Sequence, residues 1–255
     1  MVRDVAWAYH DFHKLMPKSI GATPLHVTVW KGHIDSFQYL FDTIDTEKLN
    51  INPIDNAHWT PLHWAAMNGE VTACRLIIEK VEQFGLHKNP PNKLGYTPLH
   101  LAAPSGNLPV CQLIMRRIKD KNPANQFGTT PFHQAASNGR LSVCKLFINN
   151  ELVQNKNPPD GSGKTPLHLA AESGYLDVCQ AILDVVGDKN PPSKDGETPL
   201  HLAAKYGHLD ICQMIVNLVR DENPPNKCGT TPFHMAASNG HLSVCQLFID
   251  QGSAS

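Results

Sequence analysis

Apolar and polar positions along this chain follow one motif that keeps returning. Its clearest copy is Thr198-Pro199-Leu200-His201-Leu202-Ala203-Ala204, followed by Lys205-Tyr206-Gly207-His208-Leu209. The head stands at Thr23, Thr60, Thr97, Thr130, Thr165, Thr198 and Thr231, as TPLH five times and TPFH twice, so successive heads are 37, 37, 33, 35, 33 and 33 residues apart. A period of this size predicts a solenoid of stacked units.

The motif also predicts its own local structure. Thr198 suits an N-cap, its hydroxyl able to accept a free backbone N–H of the first turn. Pro199 then falls at the first helical position, where the missing N–H costs nothing. His201, three residues on, reaches back to the cap as Glu or Gln does in a capping box. Gly207 ends the helix by taking the left-handed conformation. A second helix follows with two apolar stripes, Leu209, Cys212, Ile215, Val216 and Val219 on one and Ile211, Ile215 and Leu218 on the other. A helix apolar on two sides must be covered twice, which neighbouring repeats before and after it can do.

These residues resemble the ankyrin repeat, whose T-P-L-H-x-A signature and 33-residue period they share across about residues 20 to 250. The resemblance implies an all-α solenoid of helix–turn–helix repeats, each sending out a hairpin-like finger at roughly a right angle. Seven repeats are expected over 21–251, and 252–255 reads as a flexible tail. Residues 1–20 lack the head; Val5, Trp7, Ala8, Phe12, Leu15 and Met16 predict a capping helix or the remnant of an earlier repeat. No polar capping repeat follows the seventh, so the chain is either part of a longer array or ends in a frayed helix. The connections depart from the family. Lys88-Asn89-Pro90-Pro91, Lys156-Asn157-Pro158-Pro159, Lys189-Asn190-Pro191-Pro192 and Glu222-Asn223-Pro224-Pro225 carry prolines that stop helices and cannot donate to a ladder. The fingers are therefore expected to be extended and weakly paired. Repeats one and two are four residues longer than 33, to be absorbed by a longer second helix or a larger loop.

Charge changes little in this picture. Lys plus Arg number 22 and Asp plus Glu 23, which offers no basic surface for nucleic acid. No run reaches the length of a membrane span. Cys74, Cys111, Cys144, Cys179, Cys212 and Cys245 each stand 14 residues after their own head threonine. They occupy one structural site on helices spaced about 8–10 Å apart, too far for a disulfide, and read as small core residues in a reducing, cytoplasmic or nuclear setting. Cys228 falls in a finger and is expected to be an exposed thiol. The head histidines His26, His63, His100, His133, His168, His201 and His234 form a ladder that does not converge on a metal. His33, His208 and His241 read as surface or loop residues. No phosphate loop, nucleophile elbow or zinc-protease motif is present, so no catalysis, cofactor or metal is expected.

What remains is the surface free of stacking duty, which in ankyrin-like repeats is the finger tips and the concave face of the first helices. Trp30, Trp59, Trp64, Met67, Leu94, Tyr96, Phe127 and Tyr206 fall at such positions and are the candidate partner-binding residues, aromatics being favoured at interfaces. Stacking is expected to set Trp59, Tyr96 and Phe127 in a row. The function expected is that of a monomeric protein-interaction scaffold; the alternative is a regulatory or tethering segment of a larger protein such as a channel or enzyme adaptor. The resemblance further implies hydroxylation of finger asparagines by an iron oxygenase, with Asn190 and Asn223 as candidates.

Overall fold

The computed structural model describes residues 21–43 and 52–252; residues 1–20, with the expected capping helix or repeat remnant, residues 44–51, and residues 253–255 of the expected tail lie outside them. The chain forms two compact units, Met1–Leu101 and Ala102–Ser255. The first contains α1 (Pro24–Trp30), α2 (Ile34–Thr43), α3 (Pro61–Asn68), α4 (Val71–Gln83) and the start of α5 (Pro98–Ser105). The second continues through α6 (Leu108–Arg117), α7 (Pro131–Ser137), α8 (Leu141–Ile148), α9 (Pro166–Ser173), α10 (Leu176–Leu183), α11 (Pro199–Lys205), α12 (Leu209–Val216), α13 (Pro232–Ser238) and α14 (Leu242–Asp250). Among the described residues there is no strand.

Packing follows the repeat. In the first unit α1 lies against α3 and α2 against α4. In the second, α7, α9, α11 and α13 pack in succession as one row, and α6, α8, α10, α12 and α14 as another. The core between the rows is built by equivalent positions. Leu62, Leu99, Phe132, Leu167 and Leu200 are buried, as are the alanine pairs that follow them. Alanine there lets adjacent first helices approach closely. Phe132 stacks on Phe147 at 5.4 Å, tying a first helix to its own second helix. The extra length of repeat two appears as helix: α4 runs 13 residues where α8, α10 and α12 run eight.

Each first helix starts as its residues dictate. The head threonine is extended, proline occupies the first turn, and the histidine Nδ1 accepts the threonine backbone N–H, at 3.0 Å for His63 and His168. A second cap comes from the preceding connection. Asn89, Asn122, Asn157, Asn190 and Asn223 each accept, through Oδ1, the backbone N–H ten residues later, at Leu99, Phe132, Leu167, Leu200 and Phe233, over 3.0–3.2 Å. In three of the connections the neighbouring lysine serves the other side. Lys121, Lys156 and Lys189 fold their ammonium onto carbonyls at the end of the second helix just completed, where cations are favoured. The Lys-Asn-Pro pattern thus closes one helix and opens the next, each cap contributing about 1 kcal/mol.

Candidate functional site

The fingers are tight turns held by one side chain. Asp55, Asn92, Asn125, Asp160 and Asn226 accept two backbone N–H groups of their own turn through Oδ1. Neighbouring fingers in the first unit share a Lys93 N–H to Ala57 carbonyl bond. In the second, Gly161, Lys194 and Lys227 donate to the carbonyls of Phe127, Ser162 and Asp195 at 2.8, 2.9 and 3.0 Å. One bond per pair makes a ladder too sparse for strands, as the prolines predict. The finger glycine answers two constraints at once. Gly163 has φ +83°, and a Cβ on it would meet the backbone nitrogen of Lys194 at 2.6 Å. In repeat two His58 takes the left-handed place, at φ 63°.

The histidine ladder links repeats as well as capping them. Nε2 of His26, His63, His133, His168 and His201 bonds the carbonyl just before the next head, on Trp59, Tyr96, Lys164, Glu197 and Thr230, at 3.0–3.1 Å. A carbonyl only accepts, so Nε2 carries the proton and Nδ1 is the acceptor: these rings are neutral. Burial accordingly pulls His63 down to about 3 and His133 and His168 to about 4, with backbone hydrogen bonds opposing it. With both nitrogens engaged, these imidazoles are committed to structure. Two histidines that read as surface or loop residues stand in the turns between helices and form a second set of ties. His208 and His241 bond the carbonyls of Glu172 and Lys205, one repeat back, at 3.2 and 2.9 Å. Arg140 does the same to Pro104 at 2.7 Å.

The structure divides the eight candidate binding residues. Trp59, Trp64 and Met67 are buried, Trp64 being 1% and Trp59 9% exposed. This corrects the assignment of all three to an open face. Trp59 lies flat on His63 at 5.9 Å, and Trp64 sits edge-on to both His26 and Trp30, at 5.7 and 5.4 Å. Large apolar side chains at these positions fill the space between adjacent repeats, so the positions do carry packing in this unit. Trp30 and Tyr96 are half-buried against Trp64 and His100. The expected aromatic row therefore does not form an open surface at Trp59. Leu94 in the first unit, and Phe127 and Tyr206 in the second, are exposed, Phe127 at 53%.

In the second unit the exposed aromatic Tyr206 belongs to a polar cluster that the sequence pattern did not single out. Glu172 on α9 accepts from Lys164 in the finger at 3.0 Å and from the Tyr206 hydroxyl at 3.4 Å. Lys205 lies 5.7 Å over the Tyr206 ring. Nothing but spacing within the repeat could have marked Glu172, since its partners come from another repeat and from the finger of its own. Among the described residues, no three His, Cys, Asp or Glu side chains gather as metal ligands would.

The thiols separate almost as expected. Cys74, Cys111, Cys144, Cys179 and Cys212 are buried and Cys228 is exposed, but Cys245 is only half-buried. In its helix pair, α13 and α14, no further described helix lies over that face. Burial pushes Cys111, Cys144, Cys179 and Cys212 up to about 12, leaving almost no thiolate at neutral pH. Intact-mass labelling of the native protein with iodoacetamide should show one fast addition at Cys228 and a slower one at Cys245. Rapid modification of Cys144 or Cys179 without denaturant would contradict this burial.

A family model described as ankyrin repeats matches the chain in three copies, over residues 44–124, 99–193 and 185–254. No curated protein matches it. No helix among the described residues is long and apolar enough to cross a membrane.

Proposed function

Because the chain belongs to the ankyrin-repeat family, whose repeats are generally protein-interaction modules, we propose that it is a protein-binding scaffold without chemistry of its own. Its partner is engaged through finger tips and the exposed face of the first helices. The observation that carries this reading is a division of labour. Leucine, alanine, cysteine and histidine at fixed registers satisfy the stack, while Phe127 and Tyr206 are large, ring-bearing and uncommitted to the core. The Glu172–Lys164 pair beside Tyr206 adds polar groups of both signs, the mixture that interface rims favour. Such repeats are typically non-catalytic. The buried thiols support a reducing compartment, cytoplasmic or nuclear, and balanced charge supports a protein rather than a nucleic acid as partner. Asn190 and Asn223 are proposed as hydroxylation sites with one condition attached: their Oδ1 atoms hold helix starts, so modification must leave that acceptor in place.

The test pairs binding with stability. Phe127→Ser combined with Tyr206→Ser is expected to lower recovery of whatever protein the wild type captures by at least about tenfold, as loss of an aromatic anchor does. Thermal unfolding of the variant should match the wild type. A variant that unfolds normally and captures the same protein equally well would refute this surface.

A further inference from the structure

Repeat seven is almost a copy of repeat four. Residues 229–250 differ from residues 128–149 at only four of 22 positions. Their surroundings differ far more. In repeat four Phe132, His133, Ala136, Cys144 and Ile148 are buried, with α9 and α10 of repeat five packed on α7 and α8. In repeat seven His234 and Ala237 are exposed, Phe233 and Cys245 are half-buried, and Ile249 is 52% exposed. With no described repeat after it, repeat seven leaves open a face that the same residues bury in repeat four. What covers that face in repeat four is the front of another ankyrin repeat, which states the chemistry of its occupant.

The front of repeat one is such a surface. Thirteen residues after their heads, Ala73, Val110, Val143, Val178, Ile211 and Val244 are buried, but Ser36 is exposed. Val244 is buried with no described repeat after it, so this register is covered from the preceding side. Pro24 is likewise exposed where Pro61, Pro131 and Pro199 are buried. Eighteen residues after the head the pattern reverses: Phe41 is buried and Ile249 is open.

The polar groups of the two ends match as well. In repeat four His133 Nε2 donates to the Lys164 carbonyl, just before the next head, at 3.1 Å. Its counterpart His234 is held through Nδ1 by Thr231, and among the described residues its Nε2 meets no acceptor. The carbonyl before the first head, on Ala22, accepts no bond among them either. A second tie runs the other way. His208 and His241, ten residues after their heads, bond carbonyls seven residues after the preceding heads. His33 holds the donor register in repeat one and is exposed, and Ser238 holds the acceptor register in repeat seven and is exposed too.

We infer that this chain self-associates head to tail, the open face of repeat seven in one copy receiving the front of repeat one in a second copy. His234 then bonds the Ala22 carbonyl and His33 the Ser238 carbonyl, the two ties that join repeats within the chain. Phe233 and Ala237 are covered by α1 of the second copy, and Cys245 and Ile249 by its α2. Such a contact leaves one face of each kind unused, so copies add in series. Thr28 and Ser36 stand where the other repeats bury alanine, valine or isoleucine. The contact therefore buries less apolar surface than an internal one and depends on concentration; the monomer expected from the sequence is its dilute limit.

The test is sedimentation velocity of the full chain from micromolar to near-millimolar concentration, where the average mass should rise above that of one chain. Ile249→Glu spoils the face of repeat seven and Ser36→Glu the front of repeat one, each by placing a charge where the contact would bury it. Either variant alone should remain a single chain throughout. An equimolar mixture of the two should form a dimer and nothing larger, because one intact face of each kind remains. Circular dichroism and thermal unfolding establish that both variants are folded. A wild type that stays a single chain at near-millimolar concentration overturns the inference, as does a mixture of folded variants that does not dimerise. Association that survives in either variant alone also overturns it, since a two-fold contact through one end would survive substitution at the other. The Phe127→Ser and Tyr206→Ser variant should associate as the wild type does, which separates failure here from failure of the finger surface.

Discussion

Taking the protein from pH 7 to pH 5 is expected to destabilise it severely, through histidines that face neither solvent nor ligand. In the folded chain His63, His133 and His168 are neutral and held at about 3, 4 and 4; in the unfolded chain they titrate near 6.5. A folded value below the unfolded one means that the unfolded state binds protons first as pH falls. Stability is therefore complete above about pH 6.5 and drains away as pH drops toward the folded values. Between pH 7 and pH 5 each of these rings loses roughly 2 kcal/mol, so the three together lose about 6. His26 and His201, lowered in the same direction by burial, add to the slope. Against a typical total of about 5–15 kcal/mol for a folded domain, that is a large share, and the resistance to urea should fall steeply by pH 5. Urea midpoints measured at half-unit steps check it. His133→Gln with His168→Gln should flatten the profile, because glutamine preserves a capping-box side chain without titrating. A midpoint unchanged between pH 7 and pH 5 would mean that these rings are not buried neutral.

Replacing Trp64 by alanine should cost about 3–5 kcal/mol, the range for removing a fully buried tryptophan. Its indole meets the rings of His26 and Trp30 from the repeat before it, so the loss reaches the His26 tie to the Trp59 carbonyl as well. Phe127→Ala is the counterpart. That ring is over half exposed, and its loss should change stability by no more than about 0.5 kcal/mol, as surface substitutions usually do. Both values come from denaturant unfolding monitored by circular dichroism, fitted transition by transition. Near-equal effects of the two substitutions would show that Trp64 does not hold the stack.

The two predictions mark where reading the sequence succeeded and where it stopped. The head histidine was legible as a cap because its partner, the threonine, is three residues away. Its other bond was not, because the acceptor is 29 to 33 residues on. The connection asparagines sat in plain view beside their prolines, yet their role depends on a helix start ten residues later that only folding brings near. His208 and His241 lie in the turns where the sequence places them, but their ties were not legible for the same reason, the acceptors lying 36 residues back.

The sequence by itself determined the repeat, the helix starts and stops, the core ladder of leucine, alanine and cysteine, and the weak pairing of the fingers. Each of these is local chemistry copied at a fixed period. Only the tertiary structure decided which aromatics are surface. Register places a backbone position, but exposure depends on the volume of the side chains stacked on either side. Where tryptophans meet, at Trp30 and Trp64, they bury one another. Where no such neighbour covers the ring, as at Phe127 and Tyr206, about half of it stays in solvent.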